Sequence, residues 1–300
     1  MQLPEFLIEK LKSQYGEELK NEIVDGYSKR RVTTFRVNTI KSNNDEIEQV
    51  LKSLNFEYEK PSWSEDAYIL KNNSEQDIEK LDVYKDGKIY LQSLSSMLPP
   101  IVLNPKEGKD ILDMAAAPGG KTTQMAALSN NKAHITACEM NNIRIEKLKY
   151  NIEKQGASCV YIMQKDSRQI DDFFSFDQIL LDSPCSGSGT LYIEDPNINK
   201  YFTTVLVEKS TKAQFALLKK ALRILKPGEE MVYSTCSILK EENEEIVKKA
   251  MMTAKCEIVK IEFDGMEELP ILPTQIEGTL CVMPTEYYEG FYIAKIRKLK

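Results

Sequence analysis

Apolar residues recur at broadly helical spacing over Glu5–Ile23 (Phe6, Leu7, Leu11, Leu19, Ile23), and the spacing predicts a helix there. Val32–Thr39 alternates in the two-residue period of a strand. Ser42–Leu54 starts polar and then sets Ile47, Val50, Leu51 and Leu54 on one face, which predicts a second helix. The first ninety residues thus run helix, strand, helix, strand, a small α+β module. A helix or turn over Gln92–Leu103 follows, and Pro99-Pro100 is expected to close it because proline has no N–H to continue the ladder.

From Lys109 onward the pattern changes. Short apolar runs at Ile111–Met114, Ile135–Cys138, Val160–Met163, Ile179–Leu181 and Met231–Tyr233 are bounded by polar or turn residues. Helical stretches lie between and after them, over Lys121–Leu128, Ile143–Lys154, Lys209–Leu225 and Glu241–Met252, and Lys226-Pro227-Gly228 is a helix stop. Strand and helix in alternation build a mostly parallel sheet with helices on both faces. The expected organisation is a module over residues 1–90 and an α/β domain over 91–300. Ligands of such sheets bind beyond the carboxyl ends of the strands.

Composition narrows the chemistry. Of 300 residues, 42% are hydrophobic and 29% charged, which suits a folded soluble chain. The longest apolar stretch, Met97–Leu103, falls far short of the roughly 20 residues of a membrane span. The start, Met1-Gln2-Leu3-Pro4-Glu5, lacks signal-peptide character, so a cytoplasmic location is expected. His134 is the only histidine, which argues against histidine triads and most zinc hydrolase sites. The six cysteines never form a Cys-x-x-Cys pair, so free thiols are expected and no metal is implied. Net charge is 40 − 46 = −6, yet Lys29, Arg30, Arg31, Arg36 and Lys41 lie in a stretch with no acid. That stretch is either a solvated face or a phosphate-facing stripe.

The predicted strand ends carry the unusual residues. The first leads into Ala115-Ala116-Ala117-Pro118-Gly119-Gly120-Lys121-Thr122, where small residues let backbone approach a ligand before a helix N-terminus. This resembles a phosphate-binding loop with alanine at the first glycine position, and it equally suits an adenosyl cofactor. Glu139 ends the second strand nineteen residues after Gly120, where an acid accepts from ribose hydroxyls, and it favours the adenosyl reading. Asp166, after the third strand, is placed to reach an adenine amino group. The fourth strand runs into Asp182-Ser183-Pro184-Cys185-Ser186-Gly187 and the fifth into Ser234-Thr235-Cys236-Ser237. Adjacent strands would bring Cys185 and Cys236 to one sheet edge beside Asp182. Cys138, Cys159, Cys256 and Cys281 read as core packing.

A thiol, a carboxylate and an adenosyl cofactor together suit methylation of a pyrimidine at carbon 5. That carbon becomes nucleophilic only after a thiolate adds to carbon 6, and a carboxyl can hold the ring through N3 and the exocyclic amine. At these residues the chain resembles the RNA (cytosine-5) methyltransferases of the Sun and nucleolar-protein type. The resemblance covers most of the chain. It includes Arg36-Val37-Asn38-Thr39, Tyr90-Leu91-Gln92, Ser95-Ser96, the Ala115–Lys121 loop, both cysteine motifs and Glu241-Glu242-Asn243-Glu244.

The resemblance implies a class I methyltransferase, Rossmann-like fold behind an RNA-binding module, with S-adenosyl-L-methionine as cofactor and structured RNA as partner. Ribosomal and transfer RNA are both family substrates, and ribosomal RNA is slightly favoured. It implies Cys236 as nucleophile, Cys185 assisting product release, and Asp182 and Lys121 lining the reaction centre. Ala115 to Lys121, Glu139, Arg144, Asp166 and Asp182 would hold the cofactor, and Lys29, Arg30, Arg31, Arg36 and Asn38 the RNA. Rivals are a DNA cytosine-5 methyltransferase using Cys185, a phosphate-loop NTPase at Gly120-Lys121-Thr122, and an RNA-binding scaffold with a dead site. The chain departs from the family's usual pattern at Leu191–Pro196 and at Cys281 and Pro284-Thr285.

Overall fold

Helix α1 (Glu5–Ser28) starts after Pro4, whose missing N–H is no loss at a helix start. It buries Leu7, Leu11, Ile23 and Tyr27, and runs one turn past the end that periodicity predicts. Gly16, at φ 81° and ψ 177°, kinks it midway. The computed structural model describes residues 3–300. The chain divides into two compact units. One comprises Val32–Leu180 and Glu262–Glu268; the other comprises the chain up to Arg31, Leu181–Ile261 and Leu269–Lys300.

In the first unit, β1 (Thr34–Val37), α2 (Asn44–Ser53), β2 (Tyr58–Glu59), β3 (Ala67–Leu70), α3 (Glu75–Glu79), α4 (Asp82–Lys85) and β4 (Ile89–Leu91) come first. The strands form an antiparallel sheet in the order β2-β3-β1-β4. The Asn43 side chain accepts the Glu46 N–H at 3.0 Å and caps α2. Ile47 and Leu51 of α2 pack with Phe35, Val37, Tyr68 and Leu70 of the sheet. Each such burial is worth about 1.5–3 kcal/mol.

Helix α5 (Leu94–Leu103) corrects an expectation, because it runs through Pro99 and Pro100 instead of closing there. Pro100 cannot donate to the Ser96 carbonyl, and Gln92 Nε2 supplies that hydrogen bond instead at 3.0 Å. Asn104, left-handed at φ 53°, ends the helix.

Strands β5 (Asp110–Asp113), β6 (His134–Cys138), β7 (Val160–Met163) and β8 (Phe176–Asp182) alternate with α6 (Gly120–Leu128) and α7 (Asn142–Gln155). All three pairings are parallel, in the order β7-β6-β5-β8. Ile111, Leu112, Ile179, Leu180 and Leu181 are fully buried, as expected of strands covered on both faces. The chain passes into the second unit within β8, after Leu180.

The second unit continues with α8 (Ile198–Tyr201), α9 (Thr204–Ile224), β9 (Leu225–Thr235), α10 (Glu244–Met251), β10 (Cys256–Val259), β11 (Leu280–Val282) and β12 (Phe291–Lys298). Strand β12 pairs antiparallel with β9, β10 and β11. The fold is mixed α/β with a mostly parallel central sheet, the class expected. The antiparallel strands β10–β12 are a feature that periodicity does not predict. Among the described residues, no helix is long and apolar enough to cross a membrane.

Candidate active site

The second unit brings the two cysteine motifs together. Asp182 is the last residue of β8, and Cys236 follows the last residue of β9. Ser183 N–H donates to the Ser234 carbonyl at 2.8 Å, and Ser234 Oγ donates to Asp182 Oδ1 at 2.8 Å. Beyond these strand ends the half-buried, free thiols of Cys185 and Cys236 face each other with sulfurs 2.9 Å apart. The loop holding Cys185 passes so close to backbone that a Cβ on Gly189 would sit 1.9 Å from the Gly290 carbonyl oxygen. Gly189 N–H itself donates to the Cys236 carbonyl at 3.0 Å.

The two thiols are not equivalent. The hydrogen bond to the Cys236 sulfur, then burial, then the charge of Cys236 and that of Glu242 hold the Cys185 thiol well above the ordinary thiol range. Cys185 therefore keeps its proton at neutral pH, and either thiol can be the donor in the contact between them.

Beneath the pair lies Glu242, fully buried. Its Oε1 accepts Ser186 N–H at 2.7 Å and Gln214 Nε2 at 3.2 Å; its Oε2 accepts Ser186 Oγ at 2.5 Å and Ser237 Oγ at 2.6 Å. In the sequence Glu242 stands within Glu241-Glu242-Asn243-Glu244, a stretch that the resemblance includes without giving Glu242 a role of its own. Its one local signal is an acid between Ile238-Leu239 and Ile246-Val247, both pairs largely or fully buried.

The first unit builds the loop after β5. Ala116 N–H donates to the Cys138 carbonyl at 2.9 Å, setting the loop against the end of β6. The Ala117-Pro118 peptide bond is cis. Gly119 has φ 111°, a left-handed conformation that favours glycine, and a Cβ there would press on Leu148 Cδ1 at 3.1 Å. Helix α6 starts at Gly120 and aims its first N–H groups outward.

Glu139 is buried, and its Oε1 accepts Asn141 N–H at 2.8 Å. Arg144 Nη1 lies 3.4 Å from Glu139 Oε2, while its Nη2 donates to the Ala117 carbonyl at 2.6 Å. Arg144 thus ties the acid to the loop. Asp166 is paired two-fold with Arg168, at 2.6–3.0 Å, which holds its carboxyl below the usual range. Ser167 Oγ anchors that segment to the Met114 carbonyl at 2.6 Å. Lys121 Nζ donates to Ser96 Oγ at 2.6 Å. The Thr122 hydroxyl is fully buried and donates to Asp113 at 2.7 Å. In a phosphate loop the hydroxyl at this position ligates magnesium; here it is taken up by Asp113.

Two residues assigned to RNA are corrected. Arg36 is buried, donating from Nε to Gln92 Oε1 at 2.9 Å and from Nη2 to the Gly120 carbonyl at 3.0 Å and Thr123 Oγ1 at 2.8 Å. Its guanidinium lies 5.1 Å from the centre of the Tyr90 ring, and burial brings it down to about 10, still charged at neutral pH. Asn38 is fully buried, giving Nδ2 to the carbonyls of Gly87 and Gln155, both at 2.8 Å. Neither side chain is open to a phosphate. Lys29 and Arg30 are exposed. Arg31 is half-buried, with weak hydrogen bonds to the Gly26 and Gly189 carbonyls at 3.3 and 3.4 Å. These three line a cavity of about 490 Å³ with Leu191, Tyr192 and Glu194.

Residues 100–297 match the family described as 16S rRNA methyltransferase RsmB/F, and residues 3–77 match the ferredoxin-like domain of RsmF/B-like methyltransferases. The chain belongs to the RsmB/F family. It is 34% identical over 276 residues to ribosomal RNA small subunit methyltransferase F of Shewanella sp. strain ANA-3, covering 89% of this chain and 56% of that protein. The same protein of Shewanella loihica is 33% identical over 291 residues, covering 93% and 59%. The chain therefore spans little more than half the length of these curated relatives.

Among solved structures, a methyltransferase homolog from Pyrococcus horikoshii is 31% identical with a TM-score of 0.83, covering 99% of this chain and 100% of that one. NSun6 from Pyrococcus horikoshii with SFG, 24% identical and with a TM-score of 0.87 over 99% of this chain and 98% of that one, shares the fold.

The loop of this RsmB/F member fits an adenosyl sulfonium donor. Small side chains leave room at the loop, helix N–H groups face outward, and Glu139 keeps acceptor capacity for ribose hydroxyls beyond its bonds to Asn141 and Arg144. Ala115 to Lys121, Glu139, Arg144 and Asp166 are the residues that would hold it.

Proposed function

We propose that this chain methylates carbon 5 of a cytosine in RNA, with S-adenosyl-L-methionine as donor and Cys236 as covalent nucleophile. The observation that carries the reading is the Cys185–Cys236 sulfur separation of 2.9 Å at the end of the strand that closes with Asp182. Family membership supports it, and the names of the Shewanella relatives favour small-subunit ribosomal RNA.

Cys236 as thiolate attacks carbon 6 of a base removed from its stack. A carboxyl at Asp182 hydrogen-bonds N3 and the exocyclic amine as charge develops on the ring. S-adenosyl-L-methionine would supply an electrophilic methyl group to the now nucleophilic carbon 5, its sulfur–methyl bond breaking to leave the neutral thioether S-adenosyl-L-homocysteine. Loss of the carbon-5 proton to a base restores the aromatic ring and expels Cys236 as thiolate. The Cys185 S–H hydrogen-bonds that sulfur as negative charge returns to it, which fits a thiol held protonated beside its partner. Lys29, Arg30 and Arg31, with Tyr192, are assigned to the RNA backbone and a neighbouring base, and residues 1–90 as a whole to RNA binding.

Bisulfite sequencing of total RNA from a strain lacking the protein tests the proposal. A single cytosine should lose protection, and ribosomal RNA is where it should lie. An unchanged methylation map, with purified chain transferring no labelled methyl group to RNA, would refute it.

A further inference from the structure

We propose that Glu242 is a positioning residue for this reaction, a buried carboxylate that fastens the Cys185 loop to the Cys236 loop and holds the two sulfurs in register. The inference rests on the covalent reading above. The residue immediately after each cysteine is a serine, and both serines donate to the same oxygen: Ser186 Oγ at 2.5 Å and Ser237 Oγ at 2.6 Å to Glu242 Oε2. Ser186 N–H adds a third bond to Oε1 at 2.7 Å, and Gln214 Nε2 of α9 a fourth at 3.2 Å. Tyr233 of β9 donates its hydroxyl to the Glu242 carbonyl at 2.6 Å, fixing the backbone as well.

The network extends one layer further. Ser237 gives its only proton to Glu242, so the 2.8 Å hydrogen bond between Ser188 Oγ and Ser237 Oγ is donated by Ser188, whose oxygen in turn accepts Ile238 N–H at 3.0 Å. Every hydroxyl in this relay has one orientation. A single acid therefore sets the polarity of the hydrogen bonds under both thiols.

A neutral side chain could not do this. An amide offers one acceptor oxygen, and its NH₂ would face donors. The buried carboxylate has a second consequence: its charge opposes ionisation of the Cys185 thiol.

The test reads the dithiol directly, without RNA or methyl transfer. A diazenedicarboxamide oxidant takes two protons and two electrons from thiols that meet, forming the disulfide, and its rate at Cys185–Cys236 measures their register. Glu242→Gln and Glu242→Ala should slow that rate about tenfold or more, with the far-UV circular dichroism of the folded chain retained in at least the isosteric glutamine variant. In a Cys236→Ser background, the midpoint pH for iodoacetamide labelling of Cys185, followed by peptide mass spectrometry, should fall when Glu242 becomes Gln. A purely structural role would not move that midpoint. Either a wild-type cross-linking rate in the folded Gln variant or an unmoved midpoint overturns the assignment. If both effects are found and the unmodified protein still methylates no RNA, Glu242 stands as the organiser of the thiol pair and the proposed reaction is what fails.

Discussion

Arg36 donates its Nη2 to the carbonyl oxygen of Gly120 at 3.0 Å, although 84 positions separate them. A basic residue in a stretch that suggests phosphate binding is instead the buried brace of the glycine loop. Nε goes to Gln92 and Nη2 also to Thr123, while Nη1 is buried without a hydrogen-bond partner. The neutral acceptors on Nε and Nη2 and the Tyr90 ring offset part of the cost of burying that charge.

Arg36→Ala removes the donor for Gln92 Oε1, Gly120 O and Thr123 Oγ1 together. Stability should fall by roughly 2–3 kcal/mol, since hydrogen bonds to charged groups are the stronger kind and the stranded acceptors stay buried. Arg36→Lys should recover little, because a single ammonium cannot reproduce the fork. Urea unfolding measures the loss, and the salt dependence of RNA binding should not change. A variant with full stability and a shallower salt slope would return Arg36 to the RNA surface.

The cysteine pair divides the reaction. Cys236→Ala should abolish both methyl transfer and the covalent adduct. Cys185→Ala should let a protein–RNA adduct accumulate, visible as a slow band on a denaturing gel, because the sulfur leaving carbon 6 has lost its hydrogen-bond donor. An adduct formed by Cys236→Ala would mean that the roles are reversed and that Cys185 attacks, as in the rival reading.

Lys29 and Arg30 are exposed beside the cavity bounded by Leu191 and Tyr192. Charge reversal at both should weaken RNA binding and reduce the slope of log affinity against log salt by about 1 for each phosphate that no longer meets a cation. Filter binding over a salt series gives the slope. An unchanged slope would remove these residues from the RNA path.

Glu244 offers a pH test of stability. It is buried and one carboxylate oxygen, Oε2, has no hydrogen-bond partner; burial raises its carboxyl above the usual range. A raised acid in the folded state makes the ionised form the costly one. The penalty is complete above the folded value, shrinks as pH falls through it, and vanishes below the unfolded value of about 4.3. Glu244→Gln should therefore gain most over the natural protein at neutral and higher pH, and the two stability curves should converge in acid. Parallel curves across that window would show that Glu244 ionises without penalty.

Local chemistry is enough for most elements of the parallel half of the fold. Apolar runs of four or five residues, caps such as Asn141 and the small-residue turn after β5 act over a few neighbours, so their consequences can be read along the chain. The two cysteine motifs are legible for the same reason: each ends an apolar run, and the carboxyl end of a strand is where side chains leave the sheet.

Whatever depends on distant partners comes only with tertiary structure. Burial of Arg36 and Asn38 rests on carbonyls at Gly120 and Gln155, and the helix through Pro99-Pro100 rests on Gln92 taking up a stranded carbonyl. Strand β12 needs β9 beside it, and Glu242 gains its meaning from Ser186, 56 positions away. Periodicity records which face of a segment is apolar; it does not record which polar group waits on the other side of the core, and the free energy of a buried charge or an orphaned carbonyl is decided by that group.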